Sequence, residues 1–279
     1  MLTLLEVLQS TATYFAKHGV DSPRLNAEHL LAHALGKKRM ELYLEFDRPL
    51  SEKELAPLRE QVRKRATGVP LQHLLGSVEF AGRVFRSDAR ALIARPETEL
   101  LMELILKKPL PPEPRILDVG TGSGVIALTL AAELPQAQVF AVDISPDALA
   151  LAHENAQSLG LADRVTFLQS DLLAAVDGRF DLIVANLPYI PTEEIPTLSR
   201  EVQHDPRLAL DGGPTGRECM EQLIATAPEK LLPGGQLVLE IGLGQAQALR
   251  TTFETQNFRD ILEMADYQGV ARFLFATHG

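Results

Sequence analysis

The sequence predicts an α/β fold, in which a mostly parallel sheet carries helices on both faces and follows a small helical region. Three observations predict it. Strand-like and helix-like segments alternate from Arg115 onward, as they do in proteins with parallel sheets. A glycine-rich stretch, DVGTGSG at 118–124, follows the first of these strands. Residues 1–70 instead repeat their apolar side chains at helical spacing.

The N-terminal region is predicted to form helices. The first helix carries an apolar stripe, Pro23 stands in the first turn of a second, and Ser51 with Glu54 forms the capping box of a later one. No nucleotide or metal motif occurs here. We therefore expect residues 1–75 to form a helical domain that recognises the substrate. The stripe consists of Leu4, Leu5, Leu8, Ala12 and Phe15.

Residues 76–94 have a different pattern. Apolar residues flank Ala81-Gly82-Arg83, which predicts a β-hairpin that links the helical domain to the rest of the chain. Pro96 then opens a helix, and the proline-rich segment 107–114 must end it.

Residues 95–279 are expected to form the main domain. The last two strand-like segments are expected to form an antiparallel edge of the sheet, because only a short turn joins them. The predicted strands cover 115–120, 138–144, 164–171, 181–187, 236–242, 261–267 and 270–276, and the helices cover 125–134, 147–159, 216–231 and 245–256.

Composition restricts the class of protein. The chain has 46% hydrophobic residues, enough to bury a full core. Its net charge of -10 disfavours broad binding of phosphate backbones, so we expect no stable nucleic acid partner. Residues 1–75 hold 11 Lys and Arg and nine Asp and Glu, and the basic residues cluster at 37–39 and 63–65. These clusters fit either a solvated helix face or a docking surface for an RNA-containing assembly or an acidic partner.

Other features exclude further classes. A single cysteine, Cys219, excludes an internal disulfide framework. The seven histidines lack metal-ligand spacing, so no metal is assigned. The N-terminus lacks a basic region before its apolar stretch, and no uncharged run could cross a bilayer. We expect a soluble, cytoplasmic protein, without a membrane partner and monomeric.

The glycine-rich loop predicts a ligand site. Glycines permit a tight turn and close approach of a ligand, and the helix that follows offers free N–H groups. Gly122-x-Gly124-x-x-Ala127 also fits the dinucleotide pattern, and Asp143, about 20 residues on, could bind ribose hydroxyls in either case. An NAD-dependent oxidoreductase is therefore an alternative.

Three features favour S-adenosyl-L-methionine over a dinucleotide. Asp118 stands directly before the glycines, and Gly120-x-Gly122-x-Gly124 has the tighter spacing. The third strand ends in Ser170-Asp171, where a carboxylate could reach the adenine amino group.

The fourth strand of the alternating region ends in Asn186-Leu187-Pro188-Tyr189. An amide or aromatic amino nitrogen is a poor nucleophile, but it has two N–H donors. The Asn186 side-chain carbonyl and the Leu187 backbone carbonyl could accept both, while Tyr189 offers a flat face to a planar acceptor. Such alignment supplies most of the catalysis when the methyl donor is already activated. A cofactor-binding protein without catalysis is the other alternative.

These motifs together resemble the HemK/PrmC family of protein-(glutamine-N5) methyltransferases, which modify peptide chain release factors. The resemblance covers nearly the whole chain, most clearly 68–279. It is carried by Gly68–His73, Leu75-Gly76, Phe80, Leu92–Glu99, the DVGTGSG loop, Asn186–Ile190, Glu201-Val202, Pro206 and Ala209–Gly213.

The resemblance implies a seven-stranded class I, Rossmann-like methyltransferase domain after the helical domain and hairpin. It implies that Asn186–Tyr189 hold the glutamine of the Gly-Gly-Gln loop in release factors. Arg95 and Glu97 are expected beside this cleft as substrate-binding residues. The expected cofactor-binding residues are Asp118, Gly120, Thr121, Gly122, Ser123, Gly124, Asp143, Asp171, Leu172 and Asn186.

One residue departs from the family pattern. The family usually has Asn-Pro-Pro-Tyr, and this chain has Leu187 in the second position. The backbone carbonyl is retained, so the proposed grip is preserved. Because rRNA adenine dimethyltransferases also have Asn-Leu-Pro-Tyr, methylation of adenine N6 in RNA or DNA is the alternative activity.

Overall fold

The computed structural model describes residues 2–279, which divide into two compact units. The first ends at Ser77 and also includes Leu198–His204, and the second comprises Val78–Thr197 and Asp205–Gly279. Among the described residues, no helix is both long and apolar enough to cross a membrane. The three-part division at 75 and 94 stays a proposal.

The first unit is helical, as predicted. A capping box stabilises the start of α1. The Thr3 N–H donates to the Glu6 carboxylate at 2.8 Å, and the Glu6 N–H donates to the Thr3 hydroxyl at 3.3 Å. Buried Arg65 donates to Asn26 at 2.7 Å and to Glu201 at 2.6 Å, which ties segment 198–204 to the helices. The helices are α1 (Leu4–Lys17), α2 (Pro23–Leu35), α3 (Arg39–Leu42), α4 (Glu52–Ala66) and α5 (Leu71–Leu75).

The predicted hairpin consists of β1 (Ser77–Phe80) and β2 (Arg83–Arg86). Ala81 and Gly82 both have positive φ, 48° and 71°, as a two-residue hairpin turn requires. α6 (Pro96–Leu106) follows and ends before the proline-rich segment.

The main sheet has seven strands in the order β5-β4-β3-β6-β7-β9-β8, which confirms the predicted fold class. β9 pairs antiparallel with β7 and β8, as the late segments predicted, and the other pairs are parallel. The strands are β3 (Arg115–Val119), β4 (Gln138–Asp143), β5 (Val165–Gln169), β6 (Phe180–Asn186), β7 (Leu231–Glu240), β8 (Phe258–Ala265) and β9 (Ala271–His278).

Successive strand residues enter different cores because side chains alternate across a sheet. Ile116 and Leu182 join the buried cluster that includes residues of α6 and α7, whereas Leu117 and Ile183 join the cluster of α9 and α10. Helices therefore cover both faces, as predicted. The remaining helices are α7 (Val125–Glu133), α8 (Pro146–Ser158), α9 (Glu218–Thr226) and α10 (Ala246–Thr255).

The predicted helix over 216–231 is wrong in its last third. After α9 the chain tightens into a 3-10 turn, Ala227–Lys230, and β7 begins at Leu231. Pro228 lacks an N–H and cannot continue the helical hydrogen bonds. The apolar pattern did not reveal the change, because Leu223, Ala227 and Leu231 keep helical spacing and are all buried. The short helices α3 and α5 were also not predicted.

The order of the strands defines a switch point between β3 and β6. From β3 the chain proceeds outward to β4 and β5, and then returns to the other side of β3 as β6. Val119 is the register partner of Ala185, so Gly120 and Asn186 leave the sheet side by side. In open α/β sheets, ligands bind outside the carboxyl ends of the strands at such a point.

Candidate active site

The glycine-rich loop has a backbone that only glycine adopts easily. Gly120, Gly122 and Gly124 have φ values of 73°, 56° and 84°. A Cβ on Gly120 would lie 2.8 Å from Cδ2 of Leu187. The glycine therefore lets the chain after β3 approach the chain after β6.

Asp143 at the end of β4 fastens this loop. Its Oδ2 accepts from the Gly122 N–H at 2.8 Å, and its Oδ1 accepts from the Ser145 N–H at 2.9 Å. Burial raises the pKa of Asp143, and the N–H groups that it binds oppose the rise. Each oxygen keeps acceptor capacity, because a carboxylate offers about four lone-pair sites.

Asp118 lies beneath the loop and is not among the residues that line the cavity described below. Its Oδ2 accepts from the Thr121 hydroxyl at 2.6 Å and the Ala127 N–H at 3.1 Å, which joins the loop to α7. Its Oδ1 is buried without a hydrogen-bond partner. Burial raises the pKa of Asp118 to about 7. These contacts indicate a structural role for Asp118, in which it holds the loop in place.

The turn after β5 contains a non-glycine residue with a positive φ. Leu172 has a φ of 46°, a conformation that is uncommon outside glycine. The Ser170 hydroxyl stabilises it by donating to the Leu172 carbonyl at 2.9 Å and accepting from the Ala175 N–H at 3.0 Å. The turn directs both Asp171 and Leu172 to the cavity.

Packing and hydrogen bonds fix the backbone after β6. Buried Gln245 donates to the Tyr189 carbonyl at 2.9 Å and to the Gly216 carbonyl at 3.0 Å. A Cβ on Gly212 would lie 2.6 Å from the Pro188 carbonyl oxygen. The segment that carries the predicted acceptor motif is therefore held on two sides.

An ion pair joins two loops at the cavity. Arg95 donates to the Asp205 carboxylate at 2.8 Å, and the Ile93 N–H donates to the same group at 3.4 Å. The Asp205 side chain is fully buried. The segment before α6 is thereby held against the segment that begins at Asp205, and both line the cavity.

A single cavity of about 350 Å³ brings most of the predicted residues together. Asp118, Gly124, Tyr189 and Glu97 are not among its lining residues. The roles assigned to all the site residues stay predictions. Those that line it are Arg95, Gly120, Thr121, Gly122, Ser123, Asp143, Asp171, Leu172, Asn186, Leu187 and Pro188.

Sequence reasoning missed several lining residues. Thr98 lies in segment 92–99, which carries part of the resemblance, but only Arg95 and Glu97 of that segment were assigned to the site. The segment 205–211 could have been considered, since its Pro206 and Ala209 carry part of the resemblance. The missed residues include Ala89–Ala94, Thr98, Ile144, Pro206, Leu208, Ala209, Asp211, Cys219 and Gln222.

Two family models match the chain. The model of the PrmC N-terminal domain matches residues 6–76, and the model of the methyltransferase small domain matches residues 95–204. A release factor glutamine methyltransferase from Chlorobaculum tepidum is 43% identical over 98% of this chain and 96% of its own. A release factor glutamine methyltransferase from Geobacter sulfurreducens is 44% identical over 97% of this chain and 95% of its own.

The chain belongs to the release factor glutamine methyltransferase family. Its fold agrees with this membership. A crystal structure of a methyltransferase from Pyrococcus furiosus matches with a TM-score of 0.55 at 18% identity, over 70% of this chain and 88% of that one. Like other members of the family, this protein is a methyltransferase, and the predicted class of enzyme is confirmed.

We predict that Asp118→Asn removes a pH dependence of stability. In the folded protein the pKa of the Asp118 carboxyl is raised from 3.8 to about 7. Between these pH values the folded protein therefore holds a proton on Asp118 that the unfolded chain has lost. The free energy of unfolding of the wild type should fall as pH rises through this window. Denaturant unfolding from pH 4 to 7.5 should show the variant gaining stability relative to the wild type.

The exposed Asp177→Asn is the matched control and should follow the wild type throughout. A constant difference between Asp118→Asn and the wild type over this range would contradict the assignment.

Proposed function

We propose that the protein transfers the methyl group of S-adenosyl-L-methionine to the side-chain amide nitrogen (N5) of the glutamine in the Gly-Gly-Gln motif of peptide chain release factors. The observation that carries the proposal is that Gly120 and Asn186 line the same cavity, in a chain whose relatives are release factor glutamine methyltransferases. Both residues leave adjacent strands at the switch point.

The cavity fits the proposed cofactor chemically. The loop 120–124 exposes backbone without side chains in its path, which suits a closely bound methionine moiety. Asp143 would accept hydrogen bonds from the ribose hydroxyls and Asp171 from the adenine amino group. Ile144 and Leu172 supply apolar surface for the adenine ring. When bound, this cofactor supplies an electrophilic methyl group on a sulfonium.

Asn186 and Leu187 would hold the acceptor nitrogen. The Asn186 side-chain carbonyl and the Leu187 backbone carbonyl accept its two N–H groups, which fixes the nitrogen and directs its lone pair toward the methyl carbon. Alignment of this kind contributes most of the rate when no nucleophile must be generated. One of the two N–H protons would then pass to solvent, so that the product is a neutral N-methyl amide.

The ring of Tyr189 was expected to stack on the acceptor. Tyr189 is partly buried and packs against the buried cluster of α9 and α10, and burial raises its pKa. Its carbonyl is bound by Gln245. We therefore propose that Tyr189 holds the backbone of the motif, and that Arg95 shapes the cavity wall through Asp205.

The partner and its binding surface are also proposals. We propose that the protein acts as a monomer in the cytoplasm, where release factors work, and that the helical domain contributes to their recognition. Adenine N6 in nucleic acid is the second candidate acceptor, and Leu187 in the acceptor motif is the observation in its favour.

Incubation with labelled cofactor and a release factor should label a single glutamine, and peptide mass spectrometry should locate a 14 Da addition in the Gly-Gly-Gln motif, where 14 Da is about the mass of one CH2. A release factor with that Gln changed to Ala is the matched control. Equal labelling of the control would overturn the acceptor, and label in nucleic acid but never in release factor would favour adenine.

Asp143→Ala should weaken cofactor binding by about 1.5–3 kcal/mol, the scale for the loss of hydrogen bonds to a charged group. Calorimetric titration with the cofactor measures the change. The exposed Asp163→Ala should bind as the wild type does. Unchanged affinity in Asp143→Ala would refute the ribose contact.

Asn186→Ala should lower kcat by about 100-fold, the scale for one preorganised hydrogen bond at the reacting centre. Cofactor affinity should stay within about two-fold, because the lost carbonyl binds the acceptor and a two-fold change is only ~0.4 kcal/mol. Turnover equal to that of the wild type would remove Asn186 from the mechanism.

A further inference from the structure

Behind Asn186 lies a buried carboxylate that the reaction described above does not use. Glu240 is the last residue of β7 and the register partner of Asn186 on the parallel strand β6. Its residue surface is only 3% exposed. Burial of a carboxylate is costly unless hydrogen bonds satisfy it, so this position demands a physical reason.

Thr98 connects the two residues. From the first turn of α6, its hydroxyl donates to Oε2 of Glu240 at 2.7 Å. The Thr98 hydroxyl oxygen in turn accepts from Nδ2 of Asn186 at 3.2 Å. Thr98 is 2% exposed, so water does not compete for these bonds. Asn186 lies 88 residues and Glu240 142 residues from Thr98 along the chain.

The chemistry of the three groups fixes the direction of this chain of hydrogen bonds. An ionised carboxylate only accepts, and a threonine hydroxyl has a single proton. Once that proton is given to Glu240, Thr98 can only accept from Asn186. The NH2 end of the Asn186 amide must therefore face Thr98, which leaves its carbonyl oxygen for the acceptor nitrogen.

We infer that Thr98 and Glu240 are positioning residues, which hold the Asn186 amide in the one orientation that offers its carbonyl to the acceptor. The inference rests on the proposed role of Asn186. An amide turned by 180° would present two N–H donors to the NH2 group of the substrate, and neither could bind it. Glu240 thus acts on the substrate only through Thr98 and Asn186.

The direction of these bonds depends on the ionisation of Glu240. A protonated Glu240 could donate to Thr98, whose hydroxyl could then donate to Asn186 and favour the reversed amide. Burial and the nearby Glu97 of α6 raise the pKa of Glu240 to about 7, against the effects of Thr98, Arg272 on β9 and Asn186.

Tyr189 also interacts electrostatically with Glu240, and burial together with this carboxylate raises the pKa of Tyr189 above its usual value of 10. It therefore stays neutral in the range in which Glu240 titrates. For the wild type we expect kcat to rise as pH increases through about 7, because ionisation of Glu240 restores the productive amide.

The test compares release-factor methylation and cofactor affinity in matched variants. Thr98→Val removes the hydroxyl at constant size and should lower kcat by about 10-fold or more, with cofactor affinity unchanged, since an amide loses the bond that orients it. Thr98→Ser keeps the hydroxyl and should retain most of the turnover. Thr129→Val, which removes an equally buried hydroxyl without a hydrogen-bond partner, should behave as the wild type.

Glu240→Gln provides a second, independent reading. Its amide can donate as well as accept, so it no longer imposes a direction on the Thr98 hydroxyl. Its kcat should be lower than that of the wild type and should lose the rise through pH 7. Thermal unfolding of each variant shows whether it has folded.

The outcomes separate this inference from the proposed function. If the wild type does not methylate glutamine, the proposed function fails. If it does but Asn186→Ala keeps its turnover, the proposed role of Asn186 fails and the positioning role fails with it. If Asn186→Ala loses turnover while folded Thr98→Val or Glu240→Gln matches the wild type in kcat and pH profile, the positioning role alone is overturned.

Discussion

The site depends on the parallel pairing of β3 with β6. Because Val119 and Ala185 are register partners, the glycine-rich loop and the acceptor motif emerge next to each other at the switch point of the sheet. Gly120 makes the approach possible, since a side chain there would meet Leu187. A methyl donor on one segment and a planar nitrogen on the other would then lie within reach, which is the main requirement of this transfer.

Buried carboxylates hold the segments around that junction. Asp118 joins the loop to α7, Asp143 joins it to the end of β4, and Asp205 holds Arg95. Glu240 holds Asn186 through Thr98. Burial raises the pKa of Asp118, Asp143 and Glu240 and so opposes their charged forms. These three carboxylates therefore reduce stability while they fix geometry. Proteins commonly accept such a loss of stability at functional sites.

The sequence predicted the fold class and the two segments of the site, because alternating patterns and strand-end motifs are local signals. It did not predict the end of α9, where apolar spacing continued through Pro228 into β7. It also did not reveal the contacts of Thr98 with Glu240 and Asn186, since these partners lie far away along the chain. The sequence also could not show that Asp118 and Tyr189 are absent from the lining of the cavity, because tertiary packing decides which side of a residue meets it.

A crystal structure with S-adenosylhomocysteine and a release-factor domain that carries the glutamine tests this site most directly. The glutamine nitrogen should lie about 3 Å from both Asn186 Oδ1 and the Leu187 carbonyl oxygen, with the Asn186 NH2 group on Thr98. A glutamine bound outside this cavity, or an Asn186 amide with its carbonyl turned to Thr98, would overturn the proposed grip on the acceptor.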